Sequence, residues 1–233
     1  MRLSLLLLFV LLCSCSGWNK FAKQENKPFT ESDYLDGFNN EVSKYGLKNG
    51  ETILDLGSLT GKFSSIIFRY YPQSKIVLED VYNMKPHLYN YSFVQNDTIY
   101  KYKTNRTFKK GRPDKIPSRP NTFNTIICRK TYHEFNNNNK LKMLSEMHRV
   151  LKDNGVLLVV DVIPNYEGQR DAGCKNLYLK WDNVQKEVVK NGFELLSVDS
   201  TSYNLLDSTY HNYFILKFKK LKSEERNWGI TTL

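Results

Sequence analysis

Short apolar runs alternating with helical patterns organise this chain. Ile53, Leu54 and Leu56 form a run closed by Gly57, and Phe63, Ile66 and Ile67 then fall on one helical face. Thr52–Leu56 therefore reads as a strand, and residues 60–71 as a helix ended by Pro72. Lys75–Asp80 reads as a second strand. Upstream, Thr30–Tyr45 reads as a helix with Thr30 as cap and Asp33 as a partial capping box, stopped by Gly46 and Gly50. Further on, Asn136–Asn139 reads as a short polar loop. Asn138–Leu151 carries an apolar face (Leu144, Met147, Val150, Leu151), and an Asp153–Gly155 turn leads to the apolar strand Val156–Val162, ended by Pro164. Leu177–Asn191 reads as a helix stopped at Gly192, and Phe193–Ser200 and Tyr213–Lys219 as two strands. Strands alternating with helices predict an α/β domain with a largely parallel sheet. Residues 86–104 show no clean period, and two registers stay open. One places a helix within Asp97–Tyr102, a third strand at Arg106–Lys110 and a ligand loop at Gly111–Asp114. The other places the strand at Tyr91–Gln95 and gives the ligand role to Asp97.

The length of 233 residues suits one domain with a sizeable core, and aromatics at 13% supply part of its volume. A formal charge of +10 could serve nucleic acid or anionic lipid. The basic residues are scattered, however, with only small clusters at Lys101–Arg112 and Lys217–Lys222. That pattern speaks for a solvated basic surface and against a nucleic-acid partner.

Behind Met1–Arg2, the run Leu3–Leu12 is apolar except for Ser4. It is too short to span a bilayer and suits a signal peptide. Its end, Leu12-Cys13-Ser14-Cys15, resembles a bacterial lipobox with Cys15 as the acylated residue. Cys13 fits less well, because Leu12 would then occupy the position just before it. The expected layout is a signal peptide over 1–15, a tether over 16–29, the folded domain over 30–222 and a loose tail over 223–233. The expected place is the cell envelope, through a lipid anchor on Cys15, or else the cytoplasmic face through an uncleaved N-terminal anchor. The remaining cysteines, Cys128 and Cys174, have no framework spacing and no neighbouring His/Cys cluster in the sequence, so neither a disulfide nor a metal site is expected.

Three stretches carry a resemblance. Thr52–Ser64, TILDLGSLTGKFS, has an acid and glycines in the order D-x-G-x-G-x-G, with Leu59 at the middle glycine. Phe123–Phe135, FNTIICRKTYHEF, is preceded by Arg112–Pro117, RPDKIP. Glu146–Asp161, EMHRVLKDNGVLLVVD, follows. In this order they resemble motif I, the fourth strand with its loop, and the E-x-x-R-V-L-K-P-G-G-x-L-x-x-x-D element of the class I S-adenosylmethionine-dependent methyltransferases. Asn124 stands where that family usually has Asp. The resemblance runs from about Thr52 to Asp161 and implies a Rossmann-like fold: a seven-stranded, mostly parallel sheet with helices on both faces and an antiparallel C-terminal strand.

It also implies S-adenosylmethionine as cofactor. Asp55, Gly57, Ser58 and Gly61 would cradle it, and Asp80 would accept the ribose hydroxyls, a task suited to an acceptor-only carboxylate. Asp114 would face the adenine in the first register, and Arg129 would lie beside the cofactor. Methyl transfer asks mainly for alignment, and a base only where the acceptor must lose a proton. His133, with Tyr132 beside it, follows the fourth strand and is the candidate for that work. Asp161 would orient substrate, and Tyr166, Arg170 and Tyr178 would line the acceptor pocket. The expected activity is methyl transfer to a small-molecule acceptor. Because the cofactor is made in the cytoplasm and a lipobox points outward, a second expectation stands beside it: a cell-envelope binding lipoprotein that keeps the fold without the reaction. The sequence specifies neither the acceptor nor the oligomeric state.

Overall fold

The computed structural model describes residues 32–90, 92–95, 98–204 and 210–222. Cys15, the signal peptide, the tether, Asp97 and the tail from Ser223 lie outside the described residues. The helices are α1 (Ser32–Tyr45), α2 (Lys62–Tyr70), α3 (Tyr102–Asn105), α4 (Asn137–Val150) and α5 (Trp181–Lys190). The strands are β1 (Thr52–Leu56), β2 (Lys75–Asp80), β3 (Ser92–Gln95), β4 (Thr98–Lys101), β5 (Arg106–Lys110), β6 (Phe123–Arg129), β7 (Leu151–Val162), β8 (Phe193–Asn204) and β9 (Tyr210–Lys220). Seven strands form one sheet in the order β5-β2-β1-β6-β7-β9-β8. The pairs β5–β2, β2–β1, β1–β6 and β6–β7 are parallel, and β9 runs antiparallel to both of its neighbours. This is the expected sheet.

The central strands are apolar on both faces because both faces are covered. On one side Leu54, Leu56, Ile126, Leu157 and Val159 pack with Leu144 and Met147 of α4 and Val184 and Val188 of α5. On the other, Ile53, Ile76, Leu78, Ile127 and Leu158 pack with Val42 and Tyr45 of α1 and Ile67 and Phe68 of α2. Adjacent residues such as Ile53 and Leu54 thus serve opposite cores. Among the described residues, no helix is long and apolar enough to cross a membrane.

Four local expectations change. The third parallel strand is β5, paired from Ile76↔Arg106 to Asp80↔Lys110, as in the first register. The helix placed within Asp97–Tyr102 is not formed there: β3 and β4 make a separate antiparallel hairpin, and only the single turn α3 follows. The dipeptide Asn96-Asp97 between the two strands is of a type that favours tight turns, a signal stronger than any helical period nearby. Asn136–Asn139 is mostly helix rather than loop, because the Asn136 side chain accepts from the Asn139 N–H at 3.0 Å and caps α4. The Asp153–Gly155 turn is absorbed into β7 as an irregularity, with the register jumping from Phe123↔Leu151 to Thr125↔Val156. Finally, α5 starts at Trp181, not Leu177, because Arg170 and Leu177 form a bridge and hold residues 170–177 in a returning loop.

One ion pair fastens α1 to the sheet. Arg129, at the end of β6, reaches Glu41 through Nε–Oε1 at 2.8 Å and Nη2–Oε2 at 3.3 Å. Glu41 is fully buried and also accepts from the Tyr45 hydroxyl. The guanidinium lies 4.3 Å from the centre of the Phe63 ring, which adds a cation–π contact. Removing one partner of such a pair leaves a buried charge without its counter-ion. Arg129→Ala should therefore cost about 3–5 kcal/mol in urea unfolding, and Glu41→Gln combined with Arg129→Met should recover part of that loss.

Candidate functional site

The order of the sheet reverses between β1 and β6, and the crevice at the carboxyl ends of those strands is where ligands bind in open α/β sheets. The β1–α2 turn lies there. Its start is pinned to β2: the Gly57 and Ser58 N–H groups donate to the Glu79 carbonyl at 2.9 and 3.0 Å. Gly57 has φ 74°, and a Cβ there would stand 2.4 Å from Thr131 Cγ2 and Oγ1, so both conformation and space require glycine. Leu59 takes φ 47°, the left-handed conformation that the usual middle glycine adopts without cost. It is held there by its N–H, which donates to Asp80 Oδ2 at 3.0 Å. Gly61 precedes α2, and its carbonyl accepts from the Tyr102 hydroxyl at 3.0 Å. Asp55 is buried and accepts from Ser64 Oγ on α2. Ser58 Oγ is buried, with no hydrogen-bond partner among the described residues.

At the end of β2, Asp80 also accepts from the Tyr82 N–H at 2.9 Å. Its neighbour Glu79 is 2% exposed, and its Oε1 finds no partner among the described residues. Burial first, and then the Asp80 and Asp55 carboxylates, raise the Glu79 carboxyl to about 8. The strap after β5 presses against it: a Cβ on Gly111 would overlap Glu79 Oε1. The two adjacent acids thus do different work: Asp80 accepts backbone N–H groups, and Glu79 is buried and holds a proton. Asp114 sits on this strap, paired with Arg112 at 3.1 Å.

The segment after β6 supplies the other wall. His133 sits in a short 3-10 turn, Tyr132–Glu134. Its Nδ1 lies 2.8 Å from both oxygens of Asp161, which ends the apolar stretch of β7, and its backbone N–H donates to Asp161 Oδ2 at 3.2 Å. Nε2 has no partner among the described residues. Burial works against charge on this imidazole, but the hydrogen bond and charge of Asp161 outweigh it, helped by Glu134 and Asp171, and the His133 pKa is raised. Tyr178 stands edge-on to the ring at 5.1 Å and donates to Asp171 Oδ2 at 2.7 Å. Glu134 ends the same turn as His133 and is exposed. Restricted hydration still raises its carboxyl to about 7; His133 opposes the rise, and Asp80, Asp171 and Asp161 reinforce it. Glu134 therefore senses both walls of the crevice. Beyond β7, a cavity of about 300 Å³ is lined by Ile163, Tyr166, Lys180, Trp181 and Phe214 among others.

Three expected site residues have their side chains engaged elsewhere. Tyr132 is fully buried, donates its hydroxyl to Glu187 of α5 at 2.7 Å and packs on Phe135, so it belongs to the helix layer and not to the crevice. Arg129 has its guanidinium engaged by Glu41, as described above. Arg170 donates to the Lys175 carbonyl at 2.8 Å within its own loop. Asp171 and Cys174 were not foreseen as partners of His133. The sequence signal was there in Asp171-Ala-Gly-Cys174, where an acid ahead of glycine takes the turn's N–H groups.

A family model described as a methyltransferase domain matches residues 47–194, more than half of the chain. No curated protein matches the sequence. Among solved structures, a SAM-dependent methyltransferase from Aquifex aeolicus is similar at 20% identity, with 84% of this chain and 97% of that one covered and a TM-score of 0.59. A SAM-dependent methyltransferase from Methanosarcina mazei is similar at 15% identity, over 78% of this chain and 97% of that one, with a TM-score of 0.59. The [4+2]-cyclase SpnF is similar at 16% identity, over 79% of this chain and 80% of its own, again with a TM-score of 0.59.

The buried Glu79 gives the fold a pH dependence of definite sign. A carboxyl that keeps its proton when folded and loses it when unfolded penalises the folded state as pH rises. The penalty is absent below the ordinary value of 4.5, grows toward about 8 and is constant above. Glu79→Gln should remove this decline, on the order of 2–4 kcal/mol. Urea midpoints across that window check it: wild type should weaken as pH rises and the variant should hold.

Proposed function

This chain belongs to the methyltransferase family whose domain model matches it, and from that premise we propose that it transfers the methyl group of S-adenosylmethionine to a small-molecule acceptor bound beside His133. The observation that carries the reading is charge. In a chain of formal charge +10, the acids Asp55, Asp80, Glu134, Asp161 and Asp171 gather at one edge of the sheet, with Glu79 beside them holding its proton at neutral pH. Such an edge attracts a cation, and the cofactor's sulfonium is one. Bound there, S-adenosylmethionine would supply an activated methyl group, so the protein's share is alignment and the exclusion of water.

The residues present fit that cofactor. Ser58 Oγ is a buried hydroxyl at the turn with no partner among the described residues. Asp80 accepts the backbone N–H groups of Leu59 and Tyr82, which fix its acceptor-only carboxylate at the end of β2, the kind of group that suits ribose hydroxyls. Leu59 preserves the left-handed course of the turn despite its side chain, which supports a working cradle. Asp55 and Gly61 would shape it from behind, and Asp114 is proposed for the adenine end. On the acceptor side, Asp161 occupies Nδ1 of His133 and leaves Nε2 as the nitrogen for a ligand.

Calorimetric titration of the full chain with S-adenosylmethionine and S-adenosylhomocysteine tests the reading, and micromolar binding is expected. Asp80→Ala should weaken it by about 1.5 kcal/mol or more, the scale of lost charged hydrogen bonds. An unchanged affinity removes Asp80 from the site, and no binding by the folded chain overturns the proposal. A lipid anchor on Cys15 is proposed alongside, on the strength of the Leu3–Leu12 run and the lipobox-like Leu12–Cys15. A palmitate analogue should label the wild-type chain and not Cys15→Ser, and label retained by the variant refutes the anchor.

A further inference from the structure

The loop after β7 folds back over His133 and brings two more donor groups to it. A ring nitrogen of His133, a carboxylate oxygen of Asp171 and the sulfur of Cys174 all lie within 4.8 Å of one another. Nδ1 is taken by Asp161, at 2.8 Å from both oxygens. The nitrogen left for a ligand is Nε2, on a side chain only 1% exposed, with no partner among the described residues. A buried imidazole nitrogen with nothing to bond is costly unless something else occupies its lone pair. Asp171 also fixes the thiol: its Oδ1 accepts the Gly173 and Cys174 N–H groups at 2.7 and 2.9 Å, so the turn carrying Cys174 is tied to the carboxylate beside it.

We propose that His133 Nε2, Asp171 and Cys174 form a three-ligand zinc site, with Asp161 as its supporting carboxylate. The donor set selects the ion. Calcium and magnesium take oxygen ligands, whereas one imidazole, one thiolate and one carboxylate suit Zn²⁺. Zinc bonds of about 2.0–2.3 Å bring tetrahedral donors to separations of about 3.3–3.8 Å. The present spread of up to 4.8 Å therefore asks for a closure of about 1–1.5 Å at most, at a loop position where Cys174 is exposed. A carboxylate on the far nitrogen of a zinc-bound imidazole fixes its tautomer and raises its basicity, and Asp161 stands in that relation to His133. On binding, the thiol proton leaves to solvent and the thiolate joins the ion.

Three protein ligands leave a fourth position open to water, or to an oxygen or sulfur of a substrate. With the ion in place, Nε2 is a ligand and no longer a base, so His133 would act by holding the metal and not by moving a proton. No zinc spacing is visible along the chain because the three ligands come from two loops some forty residues apart.

The site is tested by metal binding alone, so its failure and the failure of methyl transfer are separate results. Full-length protein, stripped with a chelator, is titrated with Co²⁺ as a spectroscopic probe and then with Zn²⁺. One Co²⁺ per chain is expected, with a thiolate-to-cobalt charge-transfer band that Zn²⁺ abolishes. Cys174→Ser, at an exposed position, should keep the far-ultraviolet circular dichroism of the wild type, lose the band and weaken Zn²⁺ binding at least tenfold. Asp161→Asn should weaken it by about 10–100-fold. Absence of a thiolate band, or a band that persists in Cys174→Ser, overturns the proposal.

Discussion

How closely three strand ends approach one another at Gly57 governs this molecule's ligand edge. The turn after β1 is bonded to the carbonyl at the end of β2 and pressed against Thr131 beyond β6. No side chain fits between them. Because β1 sits where the sheet order reverses, this one turn touches both the end of β2 and the segment after β6, and the ligand crevice of an open sheet lies at the carboxyl ends of these strands. Leu59 shows which part of the usual glycine pattern is indispensable. The left-handed backbone survives at 59 with a leucine, where a hydrogen bond to Asp80 offsets its conformational cost. At 57 the neighbouring atoms allow no such compromise.

Close approach has an electrostatic consequence. Parallel strands deliver all their carboxyl-end loops to one edge, and here those loops are acidic. Like charges at short range cannot all be ionised without counter-charges. The structure resolves the crowding differently at each position. Glu79 keeps its proton to about 8, Asp171 is held near 2 because hydrogen bonds from Cys174, Tyr178 and Gly173 outweigh its burial, and Asp161 takes His133 as partner. The result is a field that favours cations, built into a protein whose remaining surface is basic.

Much of this was legible in the sequence. The apolar runs at Ile53–Leu56 and Val156–Val162 marked strands buried on both faces, and the glycine pattern marked the turn between β1 and α2. What escaped depended on long-range geometry. Tyr132 and His133 are neighbours in a Tyr-His-Glu string, yet a 3-10 turn sends one toward Glu187 and the other toward Asp161. Arg129 reads as a ligand group at a strand end, and nothing local reveals that Glu41, eighty-eight residues earlier, takes it. The hairpin of β3 and β4 escaped because Tyr- and Asn-rich segments carry no dominant period.

The exit of β6 therefore works as a junction rather than as a motif. Over residues 129–134, successive side chains serve different neighbours. Arg129 clasps α1, Thr131 meets the β1 turn, Tyr132 ties to α5, His133 to β7, and Glu134 faces the acids of both walls. Residues that share one short backbone segment and separate partners couple through that segment, so their substitution energies should not add. A ligand bound at Nε2 of His133 would act on the same segment that holds Gly57 through Thr131. The proposed acceptor and cofactor sides are thus joined through one backbone segment, from the His133–Asp161 pair to the Thr131 contact at Gly57.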